Sequence, residues 1–230
     1  MKIGAFIGIA LLELTSATGL AASRPIVVEL FTSQACSSCP PADALLSEVQ
    51  AQNRDVLALD LHVTYWNGAA WTDPYSLRAA TDRQKDYARL RHSTDVYTPE
   101  AVVDGEAQFV GSDRAAMRGA LESARAKISA AETVTVAVEA KGDQILFRVG
   151  SGAEGADLWL FGFDPEHATR VLGGENGGST LREVNVVRSI TKLGSLHGAP
   201  MADAISVPAG MKFAVIVQRR DGAILGAATN

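Results

Sequence analysis

The chain holds only two cysteines in 230 residues. A framework of structural disulfides is thereby excluded, and with it the small secreted scaffolds that depend on one. A basic excess is also missing: 21 Lys and Arg face 26 Asp and Glu, for a formal net charge of −5. This excludes a broad electrostatic footprint for nucleic acid or an anionic membrane surface. With no second CxxC and no histidine-rich pair, a tetrahedral structural zinc site lacks ligands. The N-terminal apolar run, Ile3 to Leu12, falls short of the roughly 20 residues that span a bilayer. It follows Lys2, precedes Glu13, and leads to small residues at Gly19-Leu20-Ala21 and Ala21-Ala22-Ser23. That order reads as a signal peptide over residues 1–22, with a buried N-terminal helix as the other reading. Cleavage removes one base and one acid, so the net charge stays as it is. The expectation is an exported protein, periplasmic or secreted, with no stable membrane insertion after cleavage.

The two cysteines stand together as Cys36-Ser37-Ser38-Cys39, directly after the apolar run Ile26 to Phe31. Two thiols at this spacing can close a small disulfide ring. If the motif opens a helix, Cys36 lies among free backbone N–H groups at the positive end of the dipole, which favours thiolate. An exported chain that omits other cross-links yet keeps this pair is expected to use it chemically. Strand, CxxC turn and amphipathic stretch is the arrangement a thioredoxin-like oxidoreductase needs.

From Pro25 to about Ala130 the signals alternate. Strands are expected at Ile26–Phe31, Val56–Val63, Ala101–Val103 and Ala107–Val110, and helices at 42–52, 77–91 and from an N-cap at Ser112 to about 130. Tyr65 to Tyr75 has no period and reads as a loop, and Asp104-Gly105 as a hairpin turn. The order β-α-β-α-β-β-α makes the first two strands parallel and the last two antiparallel. From Thr133 the texture changes to strand-like segments at 134–138, 144–149, 158–163, 181–190 and 212–219. Gly-rich breaks such as Gly173-Gly174-Glu175-Asn176-Gly177-Gly178 lie between them, which suggests a β-sandwich. The expected architecture is an α/β thioredoxin-like domain over residues 23–131, a mixed sheet with flanking helices. A mainly antiparallel β-sandwich-like domain follows over 132–230.

The topology with CxxC after the first strand resembles the thioredoxin superfamily. More specifically, several strings together resemble a family of secreted bacterial thioredoxin-like proteins catalogued as a domain of unknown function. They are Val28 to Gln34, Cys36 to Asp43, His62 to Trp66, Tyr97-Thr98-Pro99 and Val102 to Gly105. The likeness extends through Gly174-Glu175-Asn176, Asn185 to Arg188 and Ile224 to Ala227, and so covers nearly the whole chain after residue 22. Ala35 stands where the family usually has glycine before the first cysteine. The family name carries no reaction. The superfamily implies a cis Pro99 facing the cysteines, with Thr98 presenting backbone to a cysteine-containing partner. Taken alone, Pro99 also reads as an ordinary strand-start proline.

The chemistry assigns roles. Cys36 is the expected nucleophile, closer to solvent, and Cys39 the resolving thiol. Ser37 and Ser38 either donate to the Cys36 sulfur or serve only the turn. Glu29, an acid in an apolar strand, is a candidate proton relay to Cys39, or else pairs with an arginine. Trp66, with Tyr65 and Trp71, forms a possible recognition rim or holds the loop down. The expected function is thiol–disulfide exchange with cysteine-containing proteins or small thiols, without a cofactor. Two alternatives stand beside it. One is a Cu(I) carrier using Cys36, Cys39 and His62; the other is a binding module in which the disulfide merely staples a loop.

Overall fold

The computed structural model describes residues 24–128, 133–208 and 210–230. The expected signal segment 1–22 and the boundary at 130–132 lie outside the described residues. Strand β1 (Ile26–Thr32) is buried on both faces, as is β2 (Val56–His62). Such near-continuous apolar strands belong in the middle of a sheet covered on two sides. They run parallel, in register from Ile26↔Val56 to Thr32↔His62, joined through helix α1 (Pro40–Gln52). Helix α2 (Arg78–Leu90) leads to β3 (Glu100–Val103), antiparallel to β1, and β4 (Ala107–Val110) closes a hairpin on it before α3 (Arg114–Lys127). This is the order expected of the first half. One detail differs: Asp113 rather than Ser112 caps α3, accepting from the amides of Ala115 and Ala116. A carboxylate satisfies two first-turn donors and also suits the dipole.

The remaining strands are β5 (Val136–Lys141), β6 (Gln144–Val149), β7 (Asp157–Arg170), β8 (Thr180–Ser195), β9 (Met201–Ser206), β10 (Lys212–Gln218) and β11 (Ile224–Thr229). Four of them continue the first sheet, giving eight strands in the order β11-β10-β7-β8-β2-β1-β3-β4. Among the described residues, β5, β6 and β9 form a second, antiparallel sheet. The sandwich expected of the second half therefore shares its larger layer with the first half. The junction is narrow: β8 meets β2 in parallel at Asp60↔Val186. Side chains supplement it there. Asn185 Nδ2 donates to the Ala58 carbonyl at 2.8 Å and to Gln50 Oε1 at 3.0 Å, and Gln50 Oε1 accepts from the Ala58 amide.

Strand alternation sorts the core into three parts. Ile26, Val28 and Leu30 pack with Ala58, Ala101 and Val103 against α1 and α3. Val27, Phe31, Leu57, Leu59 and Leu61 face the other way, toward Ala80 and Tyr87 of α2 and toward Phe161, Ala214 and Ile216. Leu158, Leu160, Phe213, Val215 and Val217 pack on Ile145, Phe147 and Val149 of the smaller sheet.

The Asp104-Gly105 turn forms as expected, with φ of 50° and 73° and the Glu106 amide bonded to the Val103 carbonyl. A Cβ at Gly105 would lie 1.8 Å from the Gly222 carbonyl oxygen. Gly105→Ala is expected to cost more than about 2 kcal/mol, combining positive-φ strain of ~1–3 with overpacking of ~1–3. Urea unfolding of the variant measures it; a change under about 0.5 kcal/mol would show that the turn yields freely.

Candidate active site

Helix α1 begins at Pro40, and Cys39 is its N-cap residue. Cys36 and Cys39 are joined as a disulfide. The helix does not present free donors to Cys36: Pro40 and Pro41 have no N–H, and the Ala42 and Asp43 amides both donate to the Cys39 carbonyl. Instead, Ser38 Oγ stands 3.4 Å from Cys36 Sγ. Both cysteines are 0% exposed, while Ser37 and Ser38 are open to solvent. The expectation that Cys36 is the more exposed thiol is therefore corrected. The cover comes from the Gly-rich segment between β7 and β8. Asn176 Nδ2 donates to the carbonyls of Gln34 (3.0 Å) and Cys36 (2.9 Å), and Glu175 accepts from the Ser37 amide. Gly173 and Gly174 seat this segment against Ala70 and Trp71, where a side chain would collide with the Ala70 carbonyl oxygen at 2.1 Å.

The Thr98–Pro99 bond is cis. Pro99 immediately precedes β3, whose Glu100 lies opposite Phe31, so it sits at the end of the sheet where the cysteine turn begins. Ala42 of α1 and Pro99 both approach Gly111: a Cβ there would meet their Cβ atoms at 3.2 and 3.3 Å. Buried Gln84 fixes the segment by donating to the Tyr97 carbonyl and to Glu100. Trp66 donates its indole N–H to Thr98 Oγ1 at 2.6 Å, and both Trp66 and Tyr65 are exposed. Tyr65 bonds Gln84, and burial of its ring pushes its hydroxyl up to about 12. The structure thus brings Pro99, Thr98 and Trp66 to the same end of the sheet as the cysteine pair.

Glu29 does not belong to that group. It lies on the β1 face of Val27 and Phe31, away from α1. There it pairs with Arg83 and accepts from Tyr87 Oη; Arg83 also donates to Gln218 and to Tyr87. The relay expected of Glu29 is thus corrected to a structural ion pair, because strand parity turns its carboxylate to the face opposite the cysteine helix.

The acids near the cysteine turn are others. On the α1 face of β2 stand Asp60 and His62, two residues apart and both fully buried. His62 Nδ1 meets Asp73 Oδ2 at 2.7 Å; its Nε2 lies 3.7 Å from Asp60 and 3.8 Å from Glu183 of β8. Gln34 ties this group to the turn, its amide donating to Asp73 (2.8 Å) and its side chain to Glu183. Thr32 Oγ1 donates to Asp43, in the first turn of α1. Burial pushes Asp43 well above the usual carboxylate range, with the Asp60 charge adding to it. Burial likewise raises Asp60, and takes Glu183 up to about 7. Burial would lower His62, but Asp60 and Asp73 hold it well above 6.5, and His62 in return keeps Asp73 low despite its own burial. Both Asp60 oxygens, His62 Nε2 and Gln34 Oε1 have no hydrogen-bond partner among the described residues.

Of these groups the sequence reading singles out only His62. Asp60 carried the same signal as Glu29, an acid inside an apolar strand. Asp43, Asp73 and Glu183 carried none, because only the tertiary fold assembles them. Among the described residues no set of three or more His, Cys, Asp or Glu side chains is arranged to hold a metal ion. Cys36, Cys39 and His62, the set expected for Cu(I), are thus not gathered as ligands, and His62 commits Nδ1 to Asp73.

Comparison with known proteins places the chain. No curated protein matches it. The crystal structure of an Agrobacterium tumefaciens protein is similar, with 30% identity, TM-score 0.77, and coverage of 90% of this chain and 94% of that one. HBP35 of Porphyromonas gingivalis shares the fold at TM-score 0.64 and 13% identity, over 90% of this chain and 75% of that one. Residues 27–219 match the family described as protein of unknown function (DUF1223). The chain belongs to that family.

Proposed function

We propose that this protein is an exported, thioredoxin-like thiol–disulfide oxidoreductase that exchanges disulfides through Cys36 and Cys39. One observation carries the reading: the only two cysteines form a disulfide at the start of α1, at the sheet end that also holds Pro99, half-buried Thr98 and exposed Trp66. The β-α-β-α-β-β-α order supports the thioredoxin-like assignment, and the run at residues 3–12 supports export, to the periplasm or outside the cell. A substrate thiolate attacks Cys36 Sγ, and the electron pair of the broken S–S bond goes to Cys39. The second substrate thiol then displaces Cys36 and leaves the substrate oxidised; the reverse sequence reduces a substrate disulfide. Thr98 backbone and the Trp66 rim receive an extended cysteine-containing segment.

Cys39→Ala is expected to trap mixed disulfides with thiol partners, since the resolving thiol is gone while Cys36 remains. Cys36→Ala should trap far fewer. Non-reducing electrophoresis followed by mass spectrometry reads the result. Equal trapping by the two variants, or none by either, would remove the exchange reading and leave a binding module with a stapled loop.

A further inference from the structure

A cavity of about 890 Å³ opens where the two halves of the chain meet. Close-packed interiors leave few voids wider than a water molecule, and cavities of this size are the kind that hold small molecules. It lies at the end of the sheet away from the cysteines. Arg24 and Pro25, just before β1, border it, whereas the cysteine turn follows β1. The seven residues of β1 put roughly 20 Å between those ends.

Both halves supply its apolar wall. Leu57 of β2, Phe163 of β7, Ala227 of β11, Val136 of β5 and Val134 just before it all border the space. Gln50 and Asn185 also reach it, but their hydrogen bonds tie them to each other and to Ala58. The wall therefore suits an apolar chain or ring better than a polar ligand.

The charged part of the wall is lopsided. It holds Arg24, Arg54 and Lys212, with Asp55 as the one carboxylate side chain among the described lining residues. Arg125 takes Asp55 at 2.7 Å, and Asp104 takes Arg24 at 2.9 Å. Lys212 Nζ donates to the Asn230 carbonyl at 2.9 Å, which leaves an ammonium with donors to spare. Arg54 is exposed and has no ion pair or hydrogen bond among the described residues. Two cations are thus left over at the edge of an apolar space, and what they complement is a negative charge. We propose that this cavity binds an anionic amphiphile: an apolar chain in the cleft, with one acidic head group at Arg54 and Lys212. The site owes nothing to the exchange reading and stands apart from the cysteines.

The test titrates decanoate, decanol and decyltrimethylammonium, three probes with one tail, into the intact protein by isothermal calorimetry. Decanoate should bind at one equivalent and raise the melting temperature, since it bridges both halves of the folded chain. Decanol and the cationic probe should bind about tenfold more weakly or worse. Arg54 has no partner to lose, so Arg54→Ala keeps the fold; with Lys212→Ala added, decanoate should weaken by about tenfold while decanol holds its affinity. Ala228 is a half-buried wall residue, and Ala228→Trp fills the space. That variant should weaken decanoate and decanol alike. Equal affinity for decanoate and decanol in wild type would overturn the proposal, as would decanoate binding that neither variant moves. No binding at about 1 mM decanoate would overturn it too. A dimer in sedimentation that Ala228→Trp breaks would then give the cavity to a second copy of the chain.

Discussion

Arg83→Met should lower the free energy of unfolding by about 3–5 kcal/mol, the range for removing one member of a buried ion pair. Glu29 has 0% exposure, and Arg83 supplies its charge partner. The guanidinium also lies 5.0–5.4 Å from the ring centroids of Phe161, Tyr87 and Trp159, and donates to Gln218 at 3.0 Å. Burial alone would lower the Arg83 value, but the Glu29 charge raises it above its ordinary level, so the guanidinium stays charged. Methionine keeps most of the stacking volume and leaves the carboxylate alone in an apolar layer. Adding Glu29→Leu should restore most of the loss, because two apolar groups replace two charges. Urea unfolding followed by circular dichroism measures both. A single variant within about 1 kcal/mol of wild type would contradict the assignment of Glu29 to structure.

The contrast between Glu29 and Asp60 shows where the sequence stops being informative. Each is a lone acid in an apolar strand, and periodicity alone gives them the same standing. What separates them is parity against the neighbouring helices: α1 covers the face of residues 26, 28, 30, 58 and 60, whereas α2 brings Arg83 to the face of 27, 29 and 31. The first half was legible because its strands and helices are short and end at recognisable turns. In the second half, β7 runs on to Arg170 through Asp164-Pro165-Glu166-His167, residues that break any hydrophobic period. Pairing with β8 supplies what the pattern lacks, with His167 opposite Glu183. The short strands β9 and β11 fall outside the expected segments, as their mixed small and polar residues carry little β signal. The Gly-rich segment was readable as a break; that Asn176 reaches the cysteine turn was not, because a contact over 140 residues leaves no local trace.

That contact leads to the second large effect. In Gly173→Ala, the new Cβ would stand 2.1 Å from the Ala70 carbonyl oxygen, so the segment must lift. Asn176 then loses its two carbonyl partners. At ~0.5–1.5 kcal/mol per hydrogen bond and 1.4 kcal/mol per tenfold, the covered state weakens by roughly tenfold to a hundredfold. Reduction of the Cys36–Cys39 disulfide by dithiothreitol, timed by thiol labelling, should accelerate by about that factor. Asn176→Ala should do the same more mildly, without displacing the backbone. Rates equal to wild type in both variants would mean that Cys36 is reached by another path.

The narrow junction between β2 and β8 has a consequence for dissecting the chain. A fragment ending after α3 would strip β8 from the flank of β2 and leave a bare, almost wholly apolar strand edge, a ready template for pairing with other copies. The same cut would open the buried surroundings of Asp60 and His62 to water and remove Glu183 and Asn176 altogether. Modular expression of the cysteine-bearing half would thus yield a sticky, solvent-flooded remnant, and its reactivity would misreport that of the parent molecule.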